Sequence, residues 1–474
     1  MMSPLERMIK RLRDDLNGRL LSFGELVKVS EEENAPFGEA VVAEAIVREK
    51  KSEEEILNLA LATFQHNFEA LEVGLTSGRS FLLGTVGTDL ANKERALIDD
   101  ELINNAVTYT LATEVGNHEI GLQPCAGTGD SCPYTGLLHA FRQAGVPEKK
   151  LAHAAAIMLK LGSFFRVGKK TTGCNMEGFG AGAAATAAAL TDMRGGTARQ
   201  VARAVVLALS PTIAVPCTPR VMVHGLCAAH IGGAILIGNL ASNLVLETSL
   251  PVDVDIDVML AMAARIHMEA APIITSINLE YLEPYFAKKP QIEPYVDGEI
   301  RAREKESAET IQVRAREEVR NMLKEARPLT GVLGDVVVGG SSMAVGSPAN
   351  MARICHAMTA GTISSIEIDL TADLFSRRAI NVPAILMAAI YGTPTGDADM
   401  YKRVLDLPEL KHIQIKINKI EEPQVQRIRI EASEKSAMID ARNRGGGRVA
   451  IVQAEPSLQE ALNAAKRLGI EVAQ

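Results

Sequence analysis

Small residues fill much of the stretch from 168 to 230, and they constrain the fold more than any other feature of the chain. The segments 181–190 and 228–247 are rich in alanine and glycine and are interrupted by polar residues. This composition favours closely packed interior helices over helices that span a membrane. At the breaks between helices, small residues also let the backbone approach a bulky group and direct N–H groups at it. The stretch therefore predicts a buried helical core with a site at its edge.

Three of the six cysteines lie in this stretch, at Cys174, Cys217 and Cys227, each beside a predicted break between helices. Thiolates are soft ligands that suit iron–sulfur clusters, zinc or copper(I). No pair has the C-x-x-C spacing of a zinc finger or a ferredoxin. Three widely separated thiolates can hold a [4Fe–4S] cluster through three irons and leave the fourth iron open. From spacing alone, buried cysteines that pack as small apolar side chains are the simpler interpretation.

The residues around these cysteines favour the cluster. Residues 172–180 read TGCNMEGFG, 217–227 contain C-T-P followed by the next cysteine, and 31–34 read EEEN. These segments resemble the GGC-x-x-E-x-G loop, the C-D-P…P-C segment and the E-E-E-N segment of the iron–sulfur-dependent L-serine dehydratases. The turn at 124–133 resembles that family's P-T-A-G-S-C-G, with a small insertion. The resemblance covers most of 20–270 and implies a [4Fe–4S] cluster whose metal ligands are Cys174, Cys217 and Cys227.

The last third of the chain resembles the β portion of the same family. Residues 339–347 read GGSSMAVGS, similar to the family's G-P-S-S-S-H-T-x-G loop, and 445–451 are similar to its G-G-G-x-x-x-I strand. This match implies that Ser341 and Ser342 bind substrate. The family's histidine, which is regarded as the base that removes the α-proton, falls on Met343. A thioether cannot accept that proton.

The base must therefore lie elsewhere if the chain is a lyase. His224 lies three residues before Cys227, and His118 lies near a second segment that the resemblance assigns to the cluster pocket. Lys169 is the next candidate, because a lysine before Cys174 could also grip a substrate carboxylate. Each histidine alone is more often structural than catalytic, and an exposed lysine is often only solvated.

Further polar residues are predicted to contact substrate. Thr85 and Thr88 lie in the loop 81–89, which occupies the place of the family's Ser/Gly-rich substrate loop. Arg220 replaces a family glycine between the two later ligands, where it could bind an acidic group. Three other cysteines are predicted to be buried, although the first two could be extra ligands or a redox pair: Cys125, Cys132 and Cys355.

Composition limits the class of protein. The chain has 474 residues and a formal net charge of −8, which argues against a nucleic-acid partner or a basic membrane-binding face. Few cysteines in a long chain predict reduced thiols, and the N-terminal segment has no apolar signal core, so we expect a cytoplasmic protein. We also expect a homo-oligomer acting on a small molecule, without a membrane partner.

The predicted fold class is mixed. Residues 1–296 predict a mostly α-helical, cluster-binding domain, in which Ser52 and Thr197 begin capped helices. A highly charged segment at 297–328 predicts a solvated connecting helix. Residues 329–474 predict an α/β domain, because helices near 348–360, 381–391 and 456–468 alternate with four strands. The predicted strands are 334–338, 412–417, 425–430 and 449–452.

The resemblance implies a lyase that eliminates a β-leaving group from a small amino or hydroxy acid such as L-serine. The loss of the family histidine leaves L-cysteine as an alternative substrate, with sulfide as the leaving group. A protein that carries a cluster but has lost catalysis, serving as a sensor or structural subunit, is a second alternative. Zinc in place of the cluster is a third.

Overall fold

The protein is described here from a computed structural model that covers residues 2–15, 19–123, 131–166, 177–215, 219–324, 334–340, 342–421 and 425–473. The chain divides into two compact units, 1–316 and 317–474. The first is built of helices and the second contains a five-stranded mixed sheet. The predicted fold class, a helical domain followed by an α/β domain, is confirmed.

The first unit is an array of helices joined by short connections. Its described α-helices are α1 (Pro4–Asp15), α2 (Phe23–Glu33), α3 (Phe37–Glu49), α4 (Glu53–Ala62), α5 (Gln65–Thr76), α6 (Val86–Ala91), α7 (Glu101–Ile120), α8 (Cys132–Gln143), α9 (Glu148–Arg166), α10 (Gly182–Met193), α11 (Ala198–Leu209), α12 (Leu226–Glu247), α13 (Ile256–Leu282) and α14 (Gly298–Leu323). The division into two units falls within α14, the charged helix, after Arg316.

Side-chain caps explain where several helices begin. Ser52 accepts a hydrogen bond from the backbone N–H of Glu55, whose side chain bonds back to Ser52, and so begins α4. Thr197 and Gln200 form the same reciprocal arrangement at α11. Each pair satisfies two N–H groups that the helix itself leaves unbonded. Both predicted starts are therefore confirmed.

The alanine-rich helix α10 lies in the interior of the first unit. Every residue of α10 from Gly182 to Thr191 is buried. It packs against α9, α11 and α12, and alanine and glycine allow these helices to approach closely. The predicted burial of 181–190 is thus confirmed.

Two described helices of this unit are long and apolar enough to cross a membrane by length and composition. They are Leu226–Glu247, with 44% of its most apolar window buried, and Ile256–Tyr285, with 22% buried. Core helices of soluble proteins pass the same test, so these two helices do not by themselves indicate a membrane protein.

The second unit is a sheet with helices. Its strands are β1 (Ile363–Thr371), β2 (Gln414–Ile420), β3 (Gln426–Ala432), β4 (Ala437–Asn443) and β5 (Val449–Glu455), in the spatial order β2-β1-β3-β4-β5. Only the β1–β2 pair is parallel. The helices are α15 (Ser347–Met358), α16 (Ala372–Ser376), α17 (Arg378–Tyr391), α18 (Ala398–Arg403) and α19 (Leu458–Arg467).

One predicted strand is wrong and two strands were missed. Residues 334–338 form no strand; the backbone N–H of Val338 instead donates to the carbonyl of Thr395, at 2.9 Å. A short run of valines without partner strands therefore forms a loop. β1 was missed although IEIDL alternates apolar and polar residues as a half-buried strand does, and β4 was missed as well.

Candidate functional site

Cys227 lies in the first turn of α12, the 22-residue helix that begins after Gly225. Gly225 has a φ of +79° and supplies no side-chain cap. Cys227 is 2% exposed and packs with Cys132 and Ile231 in a small cluster. Its setting suits a buried metal ligand.

Residues that flank the other two predicted ligands also pack on the start of α12. Phe179, in the π-helical turn Glu177–Ala181, lies with its ring centroid 5.3 Å from that of His230. Val221 packs against the small hydrophobic cluster of Cys132, Cys227 and Ile231. Thus the described chain just after position 174 and just after position 217 converges on one helix end.

A buried carboxylate lies beside the hydrophobic cluster that contains Cys132 and Cys227. Glu114, on α7, is 5% exposed, and its Oε2 accepts hydrogen bonds from Cys132 Sγ at 2.9 Å and Asn117 Nδ2 at 3.0 Å. Burial alone would raise the pKa of the Glu114 carboxyl, but hydrogen bonds from His118, Cys132 and Asn117 outweigh it, so its pKa lies below the ordinary value. Glu114 is therefore an anion inside the unit.

His118 connects this carboxylate to Ser80. The Nδ1 of His118 lies 2.5 Å from Ser80 Oγ, and its Nε2 lies 3.4 Å from Glu114 Oε1. Ser80 Oγ already accepts the N–H groups of Leu82 and Leu83, so its single proton is donated to Nδ1 of His118. The Nε2 of His118 then carries a proton that points at Glu114. Both ring nitrogens of His118 are thus engaged.

His224 packs against Phe81, the exposed aromatic residue of the segment Ser80–Leu83. Its ring packs edge-on against Phe81, with centroids 5.4 Å apart and planes at 64°. His224 is exposed, and within the described chain neither of its ring nitrogens has a hydrogen-bond partner. The backbone N–H of Gly225 donates to the carbonyl of Leu82 at 2.9 Å, which ties the two segments together. His224 therefore has ring nitrogens without a hydrogen-bond partner in the described chain, beside the Cys227 turn.

Two other residues predicted to contact substrate, Thr85 and Thr88, form hydrogen bonds with residues close by in sequence. Thr85 Oγ1 donates to Asp89 at 3.0 Å, and Thr88 Oγ1 donates to the carbonyl of Thr85 at 2.9 Å. These bonds stabilise the short helix α6. Arg220 begins the 3-10 turn Arg220–Met222 and is partly buried. Thr85 and Thr88 are not brought into the hydrogen-bond network of Ser80, His118 and Glu114.

The remaining predicted site residues lie at or beyond the edge of the described chain. Cys125, Lys169, Cys174, Cys217 and Ser341 lie outside the described residues. Ser342 begins the π-helical turn Ser342–Gly346 in the second unit, and it leads into α15. Cys355, on α15, is fully buried, and burial raises the pKa of its thiol to about 12. Cys355 is thus an unreactive core residue, as its sequence context predicted.

Sequence reasoning missed Ser80 and Glu114. The one local signal was the spacing of Glu114 and His118, because residues four apart lie on the same face of a helix. Ser80 gave no signal, since its partner is 38 residues away in sequence. In the described parts of the chain, no three His, Cys, Asp or Glu side chains form a metal-ligand group. Two of the three predicted ligands lie outside those parts.

Comparison with known proteins gives no assignment. No model of a known protein family matches the chain, and no curated protein matches it either.

Proposed function

We propose that the chain is a [4Fe–4S]-dependent lyase that eliminates a β-leaving group from an amino or hydroxy acid. The observation that carries this proposal is the convergence on the start of α12. Cys227 lies there, together with residues that flank the segments containing Cys174 and Cys217. The hydrogen bond from Cys132 to the Glu114 carboxylate lies beside them. Phe179 and Glu114 come from parts of the chain far from Cys227 in sequence, so their meeting at the start of α12 supports the proposal of one site there.

The donor set suits the cluster. Cys227 lies in the first turn of α12 and is 2% exposed, so an iron bound to its thiolate would be shielded from water. When bound through three cysteines, the cluster would supply an open iron that acts as a Lewis acid on the substrate's leaving group.

His224 is the residue proposed to remove the α-proton. One of its ring nitrogens takes the proton from Cα, and the electron pair of that bond forms the Cα=Cβ double bond. The bond from Cβ to oxygen or sulfur breaks, and the leaving group departs with its electron pair. From an amino acid, the resulting enamine tautomerises to an imine, which water hydrolyses to a 2-oxo acid and ammonia.

Glu114 and His118 are proposed to position the site rather than to react. Glu114 fixes the Cys132 thiol and the His118 ring through hydrogen bonds. His118 in turn contacts Ser80, which accepts the backbone N–H groups of Leu82 and Leu83, and Leu83 packs against the hydrophobic cluster that contains Cys227. This chain of contacts keeps the Phe81 segment, and with it His224, in place.

An anaerobic substrate screen tests the proposal. Protein purified without oxygen is incubated with L-serine, L-threonine, L-3-phenylserine, L-cysteine and their 2-hydroxy counterparts, and the 2-oxo acid and ammonia or sulfide are measured. We expect turnover of at least one of these acids, lost in Cys227→Ser and retained in the matched control Cys355→Ser. Absence of turnover for every acid, with the iron intact, would favour a cluster-bearing protein without catalysis.

A further inference from the structure

A cleft of about 540 Å3 opens beside the site, within the first unit. Its walls come from the Phe81–Leu82 segment, from Met222 and from the connection between α13 and α14. The backbone N–H of Ala287 donates to the carbonyl of Met222 at 2.8 Å, and Phe286 pairs with Val223 as an isolated bridge. His118 is also one of the lining residues. The cleft is therefore a built part of the same region as His118 and the Cys227 turn.

Apolar side chains form most of the lining. They are Phe81, Leu82, Met222, Phe286, Ala287, Ile292 and Val296. Clefts of several hundred Å3 with such a lining typically enclose ligands much larger than L-serine. Apolar surface of this kind gains binding free energy only from an apolar part of the ligand.

Two oppositely charged residues of the cleft lining form no ion pair within the described chain. Lys288 pairs with Glu304, but Lys289 and Glu293 form no ion pair with any residue that the structure describes. The Nζ of Lys289 lies 5.2 Å from the centre of the Phe81 ring, the same ring against which His224 packs. A cation and an anion near one apolar wall match the carboxylate and the ammonium group of an amino acid.

We infer that this cleft binds the substrate, and that the substrate is an α-amino acid with a large apolar side chain. Its carboxylate contacts Lys289, its ammonium group contacts Glu293, and its side chain lies along Phe286, Ile292 and Val296. The polar end then lies near Phe81, the ring against which both Lys289 and His224 pack. This inference rests on the proposed function for the chemistry of the site and extends it to the class of substrate.

Calorimetric titration of the full-length, anaerobically purified protein tests the inference without requiring turnover. The probes are L-phenylalanine, L-alanine and 3-phenyllactate, which lack a β-leaving group. L-Phenylalanine should bind at least tenfold more tightly than L-alanine, because each further buried methylene gives about a fourfold gain. Equal affinity for L-phenylalanine and L-alanine, or no binding of L-phenylalanine, would overturn the inference.

Three variants separate the contributions. Lys289→Gln should weaken all three ligands about tenfold, with Lys305→Gln, on the exposed face of α14, as the matched control. Glu293→Gln should weaken L-phenylalanine but not 3-phenyllactate, which has no ammonium group. Ile292→Ala should weaken the two phenyl ligands and leave L-alanine unchanged, whereas Tyr295→Ala, at a 90% exposed position outside the cleft, should change none. Unchanged affinities in Lys289→Gln and Ile292→Ala would contradict the assignment.

Turnover distinguishes this inference from the proposed function. If L-phenylalanine binds as described but no β-substituted acid is turned over, the cleft assignment stands and the lyase fails. If L-serine is turned over but L-phenylalanine does not bind, the lyase stands and the cleft assignment fails. If both hold, L-3-phenylserine should exceed L-serine in kcat/KM by at least tenfold.

Discussion

His118 and His224 differ in what their ring nitrogens contact, and this difference favours His224 as the proposed base for the α-proton. Both nitrogens of His118 are engaged, by Ser80 and by Glu114. Those of His224 have no hydrogen-bond partner within the described residues. We therefore expect His224→Ala to lower turnover of the true substrate by about two to four orders of magnitude, the usual contribution of a general base.

The same assay on His118→Ala serves as the comparison. Since His118 is proposed to position the Phe81 segment, its loss should lower activity but leave the acidic limb of the pH–rate profile, in which activity falls as the proposed base is protonated. In His224→Ala that limb should vanish, while the iron content stays that of the wild type. Full activity in His224→Ala would make His118 or Lys169 the next candidate.

Asp192 predicts a pH dependence of stability. This carboxyl, at the end of α10, accepts the backbone N–H of Gly38 at 3.2 Å. Burial raises its pKa from 3.8 to about 6, despite hydrogen bonds from Gly38 and Phe37 that lower it. Because the folded-state pKa is the higher one, its contribution to stability is full below pH 3.8 and is lost as pH rises through 6.

The loss amounts to about 2 to 3 kcal/mol in the free energy of unfolding. Urea unfolding of the wild type between pH 4 and 7 should show this decline, and Asp192→Asn should lack it. The exposed control Asp253→Asn should keep the wild-type profile. Parallel profiles for the wild type and Asp192→Asn would show that burial of Asp192 does not disfavour its charge.

At the scale of elements, the approach of α5 to α7 determines where Glu114 and His118 lie. A Cβ on Gly116 would lie 1.8 Å from the carbonyl oxygen of Ala70, and one on Gly74 would lie 1.8 Å from that of Ala112. These are contacts between backbones, which side-chain rotation cannot relieve. Gly116→Ala should therefore destabilise the protein by about 3 kcal/mol or more, as overpacking of a rigid interior does.

Thermal or urea unfolding measures this effect. Gly298→Ala is the matched control, because nothing lies within 4 Å of a Cβ at Gly298. It should change the free energy of unfolding by no more than about 1 kcal/mol. If Gly116→Ala unfolded like the wild type, the helix contact would have to be looser than described.

Local patterns predicted the helices well and the strands less well. Ser52 and Thr197 predicted where α4 and α11 begin, because a capping residue and its partner three residues later are both local in sequence. Strands depend on partners that are distant in sequence, so the valine run at 334–338 was taken for a strand while β1 and β4 were missed. The order of β1 between β2 and β3 has no local signal at all.

At the scale of the whole molecule, the change in composition near 297 predicted a helical part followed by an α/β part. The candidate site was predicted only in part: Cys227, His118 and His224 came from resemblance and spacing, whereas Ser80 and Glu114 become evident only from their tertiary contacts. Burial of a charged carboxylate cannot be read from sequence, because neighbouring α7 residues give no sign of the cysteine that bonds it. The homo-oligomer stays a prediction, which sedimentation of the intact chain would test.

The most direct test of the account is the iron content and the EPR spectrum of anaerobically purified protein. Wild type should be brown with about four irons per chain, and air should convert the cluster first to a three-iron form and then to iron-free protein. Cys174→Ser, Cys217→Ser and Cys227→Ser should each abolish the cluster, while Cys355→Ser retains it. Stoichiometric zinc without broad visible absorption, or an EPR spectrum unchanged after hours in air, would contradict the account.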